Sequence, residues 1–435
     1  MKTLSNKFYA LFCSVFFLFA GFGLFLNSAG VKLAQMGVNS TAIGALNAAF
    51  FVGAALSAVA AHRVVSGVGH IRAFSVFGAV FAMAALGHMM TDKLWAWGVL
   101  RVGLGFCYYS LLMIVESWFA ERSAAGERAR VLAFYNVVYY VAFTVGIALL
   151  SLKPSSNDIF TLAAILVMAA MLPVALTRMS APQLPPRQRI SIPRLMAIAP
   201  LALVGSFVGG LLMNGFFTMA SVFLLQQGFG VRQISFYLMV AMITGFAVQL
   251  PVARFSDRYG RRNAILACAV IAAVGAVAGL VLMLLDVGGV WAQYGVSGFF
   301  GVGLFTLYAL SVARANDQLP NEMNTVEVSR SLLFSYGMGS LLAPLLLGAV
   351  MQQAQRYGFY TFFAVGAALL AWVAWRQQVV PEAKRSVHVA MSGDTGPLMA
   401  DLDPRNNEGV MRPFDEVAAQ QYADELAQEE ADKPA

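Results

Sequence analysis

Charge is what this chain has least of. Asp, Glu, Lys and Arg make up only 12% of its 435 residues, against 59% hydrophobic ones, a balance far from that of soluble globular domains. With a mean hydropathy of +0.70, the shortage excludes a water-facing shell around an ordinary core and marks an integral membrane protein. Cysteine is nearly absent as well. Cys13, Cys107 and Cys268 lie far apart within apolar runs, which excludes a disulfide framework or a thiolate metal cluster and leaves them as small core residues. There is no Walker glycine loop and no HExxH, and His62, His70, His88 and His388 are dispersed. An intramembrane enzyme, a metal site and a cofactor are therefore not expected.

What is present is a succession of apolar runs of roughly 18 to 28 residues, long enough to cross a hydrocarbon core as helices and too long for barrel strands. Hydropathy places spans near 8–32, 41–61, 73–90, 94–120, 130–151, 159–178, 196–222, 233–253, 263–285, 291–314, 327–352 and 358–376. The N-terminal stretch begins with basic residues like a signal peptide. Its apolar run is too long for one and no small-residue cleavage site follows, so it reads as a retained first span. If the N-terminus is inside, 18 Lys and Arg fall in cytoplasmic segments and five on the opposite side. That bias predicts a multi-pass protein of the cell (inner) membrane with both termini cytoplasmic and the lipid bilayer as its surroundings.

The longest polar break, SAPQLPPRQRISIPR at 180–194, has the proline and arginine content of a stiff basic linker. It divides the chain into an expected six-helix unit over 1–179, a linker over 180–195 and a second six-helix unit over 196–376. Residues 377–435 carry 12 acidic residues against five basic ones, and this polar tail has too little apolar surface to fold alone. A short helix near 414–430 that docks on the basic face is a further expectation. The halves echo one another: Gly53 in the second span answers Gly245 in the eighth, and HRVVSGVGHIR at 62–72 answers ARFSDRYGRR at 253–262. Duplication of a six-span unit is a transporter architecture.

The stretch RFSDRYGRR at 254–262 places five charges in nine residues between two apolar runs. QLPVARFSDRYGRR resembles the loop signature of the major facilitator superfamily (MFS): a glycine, three residues, Asp-Arg, one residue, Gly-Arg-Arg. The resemblance covers roughly residues 8–376. GHIRAF at 69–74, ESWFAE at 116–121, RVLAFYNVVYYV at 130–141 and LLFSYGMGSLLAP at 332–344 further resemble a bacterial YcaD-like subgroup of these transporters. The resemblance implies the MFS fold, an all-α membrane protein of 12 transmembrane helices in two pseudo-symmetric bundles. It also implies that the charged stretch stabilises the state closed to the cytoplasm, with Asp257, Gly260 and Arg261 carrying that role. Arg258, Arg261 and Arg262 are expected to pair with carboxylates at the bundle ends, the candidates being Glu116, Glu121, Asp317 and Glu322. Two departures stand out. Ala253 occupies the opening glycine position, and in the first half Ser66 replaces the aspartate, so that only Arg63, Gly69 and Arg72 keep the pattern.

Polar residues inside spans are costly and therefore informative. Arg101, some seven residues into the fourth span, is expected to face the central cavity, and RVGLG at 101–105 resembles the superfamily's fourth-span arginine motif, linked there with proton coupling. A coupling or substrate-anion role for Arg101 stands beside a structural one. At 100° per residue, Arg101, Gly105, Tyr108, Leu112 and Glu116 share one stripe. Glu116 suits either a proton carrier or a gate pair with an arginine. Tyr108 on that stripe, Tyr135, Asn136, Tyr139 and Tyr140 in the fifth span, Asn27 in the first and Asn214 in the seventh are candidates for the substrate cavity, with Gln249, Tyr308 and Tyr336 behind them. Asn27 lies one helical turn from the position that answers Asn214, and either Asn can instead bond across to a neighbouring helix.

The expected function is secondary active transport of a small solute by alternating access, driven by protons, in a monomer with no nucleic-acid partner. A receptor or scaffold on the same fold is the alternative, since fold does not dictate function.

Overall fold

In the computed structural model, the described residues are 2–152, 156–177, 192–287, 289–319, 325–382, 385 and 389. They form helices and connecting turns with no strand among them. Six long helices come first: α1 (Lys2–Gln35), α2 (Ser40–Val68), α3 (His70–Gly87), α4 (Leu94–Arg122), α5 (Arg128–Leu150) and α6 (Ser156–Ala175). A short helix α7 (Ile192–Ile198) leads into α8 (Pro200–Gln226), α9 (Val231–Ala247), α10 (Gln249–Tyr259), α11 (Arg261–Leu284), α12 (Val290–Leu304), α13 (Leu307–Asn316), α14 (Thr325–Ala354) and α15 (Gly358–Arg376). Most of the 180–194 linker and nearly all of the acidic tail, including 414–430, lie outside the described residues.

Ten helical runs are long and apolar enough to cross a membrane, and the bent pair α9 and α10 makes an eleventh. One of the ten, Glu327–Arg376, spans 50 residues and holds both α14 and α15, separated by a 3-10 turn at Gln355–Tyr357. Taken as two spans, it brings the number to the expected twelve. Two spans are not straight as hydropathy suggested. The eighth bends by 43° where α9 meets α10, two residues ahead of Pro251, whose ring cannot follow an unbroken hydrogen-bond ladder. The tenth breaks at Phe305 and Thr306. RFSDRY is consequently helix rather than loop.

The repeat read from the sequence is present in the packing. In the first bundle α1 lies against α5 and α6, α2 against α4, and α3 against α4 and α6; in the second, α8 lies against α14 and α15, α9 against α12, and α11 against α12 and α15. The tightest crossings are built on matched glycines. A Cβ at Gly23 or Gly146 would strike the backbone where α1 crosses α5, and one at Gly210 or Gly339 would do so where α8 crosses α14. Gly53 and Gly105 play that part between α2 and α4, and Gly301 does so where α12 crosses α9, while a Cβ at Gly245 would meet the Phe305 ring just past α12. Without a hydrophobic drive between helices in lipid, such close backbone approach is how spans adhere. Gly69 and Gly260, 191 positions apart, have nearly the same backbone angles, φ 86° and ψ 157° against φ 93° and ψ 152°. Both turn one helix directly into the next, a conformation that favours glycine.

The bundles meet through α2 with α14, α5 with α9, and α1 with α8. The contacts described between them lie in the middle of the spans and in the half away from the linker. Gly44 and Gly348 let α2 and α14 touch backbone to backbone, and Gly30 seats Val222. Asn47 Nδ2 donates to Thr218 O at 3.0 Å, Gln226 Nε2 to Ser40 Oγ at 3.0 Å, and Ser235 Oγ to Ile147 O at 2.7 Å. Toward the linker end, Leu56, Val59 and Val64 of α2 and Phe334 and Met338 of α14 are exposed. The described contacts between the bundles thus gather at mid-span and toward the end away from the linker.

Candidate functional site

The charged stretch begins on the last turns of α10 and pivots at Gly260. Arg261 is buried, and its Nη1 donates to Ser256 Oγ at 2.9 Å and to Asp257, while its Nε lies 3.5 Å from Asp317 Oδ2. The Arg261 and Asp317 side chains are fully enclosed, whereas that of Asp257 is 54% exposed. Arg262 reaches the other way: Nε donates to Ala374 O at 2.9 Å and Nη2 to Trp375 O, closing the C-terminal carbonyls of α15. Cations at helix C-termini satisfy carbonyls that have no intrahelical partner and complement the macrodipole. Arg258 is exposed and lies over the ring of Tyr259.

Of the four carboxylates expected to meet these arginines, Asp317 does so. Glu116 is held elsewhere, Glu121 is exposed, and Glu322 lies outside the described residues. The knot was expected to span both bundles. In this state its described partners are all in the second one, while Arg63 and Arg72 are exposed at the corresponding turn of the first. Ser66, in the aspartate's place, only donates to Arg63 O at 3.1 Å.

Three participants were not foreseen. Ser256 is buried under Arg261, Arg314 Nη2 donates to Gln378 O at 2.8 Å, and Arg385 Nη1 donates to Asp257 O at 2.8 Å and Arg258 O at 3.0 Å. The chain that follows α15 thus passes beneath the Gly260 turn, where Val379 and Arg385 fill the space a side chain would need. Only tertiary structure brings Arg385 to α10; no local pattern signals it.

Along α4, Arg101, Gly105, Tyr108, Leu112 and Glu116 are all buried, as the stripe predicts. Glu116 accepts a hydrogen bond from Tyr135 OH at 3.0 Å. Tyr139 faces α1, with its ring 5.0 Å from that of Phe19, and Tyr108 stacks on Phe22 at 3.9 Å. Asn136 turns back to its own helix, donating to Leu132 O at 3.1 Å.

Two candidate pairs do come together. Gln249 Nε2 donates to Tyr140 OH at 2.7 Å across the bundle boundary, where Tyr140 also meets Phe246 and Phe305. Asn214 Nδ2 donates to Tyr336 OH at 3.2 Å and Ser340 Oγ at 2.8 Å, and Tyr308 packs its ring 5.2 Å from that of Tyr336.

The glycine crossings set the true register of the repeat. Gly23 answers Gly210, so Asn27 answers Asn214 directly rather than one turn away. Each Asn also bonds the glycine carbonyl four residues before it, at 2.8 Å for Asn27 and 3.4 Å for Asn214.

The expectation for Arg101 needs correcting. It does not face the space between the bundles. It is fully buried within the first one, with its guanidinium over Phe25 at 5.2 Å, and Phe25 in turn packs on Phe81, His88 and Phe160. Helical spacing shows which residues share a stripe, not which neighbour the stripe meets.

Two repeated bundles of long apolar helices, in contact at mid-span and toward one end and bridged there by polar pairs, define a membrane transporter fold. The model of the Major Facilitator Superfamily matches residues 11–326, and the chain belongs to that family. It is similar to uncharacterised MFS-type transporters. One from Enterobacter sp. strain 638 is 25% identical over 81% of this chain and 91% of its own length. YcaD of Salmonella arizonae is 26% identical with the same coverage. Among solved structures, the nucleoside transporter NupG superposes with a TM-score of 0.72 at 14% identity, over 85% of this chain and 99% of that one. A D-xylose-proton symporter superposes with a TM-score of 0.66 at 10% identity, over 88% and 99%. At those identities the structures speak for the fold alone.

Proposed function

We propose that this chain is a secondary active transporter that carries a small solute across the cell membrane by alternating access, with proton movement as the driving force and both termini in the cytoplasm. The observation that carries the reading is the asymmetry of the bundle interface. Backbone-close and hydrogen-bonded contacts seal the end away from the linker, and the opposite ends of α2 and α14 are exposed. This is an inward-open arrangement once the basic linker end is set in the cytoplasm. Tyr140 and Gln249, one from each bundle, lie at the middle of the path and are the residues a solute would engage as the bundles rock.

The charged knot then acts as a latch for the other half of the cycle. Asp257, paired with Arg261 and half-exposed here, is placed to engage the first bundle when the linker end closes, while Arg261 and Asp317 hold its helix end in place. Glu116, buried beside Tyr135, is the carboxylate best placed to carry the proton.

Purified protein in liposomes tests the reading. A melting screen against metabolites supplies the solute, and uptake of that solute should run several-fold faster with an inward proton gradient than without one. A solute that binds, stabilises the protein and yet never crosses would point to a receptor instead.

A further inference from the structure

The first bundle also encloses a cation that the cycle proposed above does not draw on. Arg101 is 0% exposed, and its Nε, Nη1 and Nη2 are all buried without a hydrogen-bond partner on the protein among the described residues. The Phe25 ring beneath it offsets about 1 to 2 kcal/mol, short of the several kcal/mol that a buried ion loses on leaving water.

His88, just beyond the end of α3, packs on the same Phe25 ring. Its ring lies 5.4 Å from Phe25, 4.7 Å from Trp97 and 5.7 Å from Phe160. Its Nδ1 bonds Ala84 O at 2.7 Å, and because a carbonyl only accepts, the proton sits on Nδ1. Nε2 is left buried and, among the described residues, without a hydrogen-bond partner. The Trp97 indole N–H is already given to Thr91 O.

We propose that Arg101 anchors a small monovalent anion of the halide class inside the half of the first bundle away from the linker, with His88 closing the site. The ligand must be negative to offset the guanidinium. It must be small because the walls, Phe25, Phe81, Trp97 and Phe160, are all fully buried. It must need few donors, since only the arginine fork is at hand, and it gains from aromatic rims, which carry positive charge.

The site also takes up a proton with its anion. Two things disfavour a proton on His88 Nε2: first its burial among aromatic rings, and second the charge of Arg101. An anion beside Arg101 cancels the second effect and, as an opposite charge within reach of Nε2, opposes the first, so Nε2 can accept a proton and donate it toward the anion. Among the described residues, Arg101 of α4 is the one charged or titratable group facing His88, for α1 presents Phe25 and α6 presents Phe160. A histidine whose pKa rises on binding makes the affinity climb as pH falls.

Melting of the purified full chain in chloride against gluconate, at fixed ionic strength and at roughly pH 6 and pH 8, tests this without any transport assay. The expected result is a saturable rise in Tm with chloride, half-maximal at a several-fold lower concentration at the lower pH. Arg101→Gln should lose the rise. His88→Asn, whose amide can still donate to Ala84 O, should keep the rise and lose its pH dependence. A chloride effect unchanged in Arg101→Gln overturns the site, and one that is equal at both pH values overturns the part given to His88. Should Arg101→Gln fail to fold, bromide scattering from wild-type crystals decides: a peak within hydrogen-bond reach of the guanidinium supports the site, and its absence at saturating bromide overturns it.

Discussion

Arg261→Ala is expected to lower stability by about 3 to 5 kcal/mol, the cost of leaving a buried carboxylate without its cation. Asp317 is the group exposed to that cost, since its side chain is fully enclosed and its ion pair with Arg261 measures 3.5 Å. The same substitution strips Ser256 Oγ and Asp257 of a donor. The double variant Arg261→Ala with Asp317→Ala should recover much of the loss, because removing both charges also removes the penalty of burying one. Arg261→Lys should fall between the two: it keeps the charge but lacks the fork that reaches three partners at once. Thermal unfolding in detergent ranks all three. A double variant no more stable than Arg261→Ala would mean that the charge pair is not what Arg261 contributes.

The second large effect concerns the proton. Glu116→Gln keeps the shape of the side chain and an oxygen for the Tyr135 hydroxyl, so the protein should fold and melt near wild type. Uptake driven by a proton gradient should drop at least about tenfold, the scale on which a positioned proton donor or acceptor acts. Exchange of solute at equal concentrations on both sides, which needs no net proton transfer, should continue. If Glu116 were instead half of a gate pair, the variant would keep its response to the gradient and alter the balance of open states. Full gradient-driven uptake in Glu116→Gln would remove Glu116 from the proton path.

Much of the fold is legible in the chain because the membrane imposes one periodic requirement on it. Apolar runs of sufficient length must be helices, so the spans near 94–120 and 358–376 anticipate α4 and α15 closely. Gly260 is legible for a related reason: a turn between abutting helices needs the backbone freedom found at φ 93°. Asp317 could be named among four candidate partners for the arginines because few carboxylates occur near span ends.

What the chain conceals depends on contacts between helices. The bend between α9 and α10 follows Pro251, yet hydropathy runs across it without interruption. The stripe on α4 fixes which residues are buried but not that Arg101 meets Phe25 inside one bundle. The register of Asn27 against Asn214 emerges only from the glycine crossings at Gly23 and Gly210. Arg385 sits in an acidic segment with too little apolar surface to fold alone, and its bonds to the end of α10 join parts of the chain far apart in sequence.

The central claim is that closure at one end and opening at the other are a single motion. Paired spin labels test it most directly, in a background with Cys13, Cys107 and Cys268 replaced. One pair sits at Val59 and Phe334, exposed on α2 and α14 toward the linker end, and a second pair sits at the other end of the same two helices. Two distance populations should appear in each pair, shifting in opposite directions when solute is added, and Asp257→Asn should enrich the form with the Val59 and Phe334 labels far apart. A single population at both ends, or an Asp257→Asn variant with wild-type distances, would contradict the account.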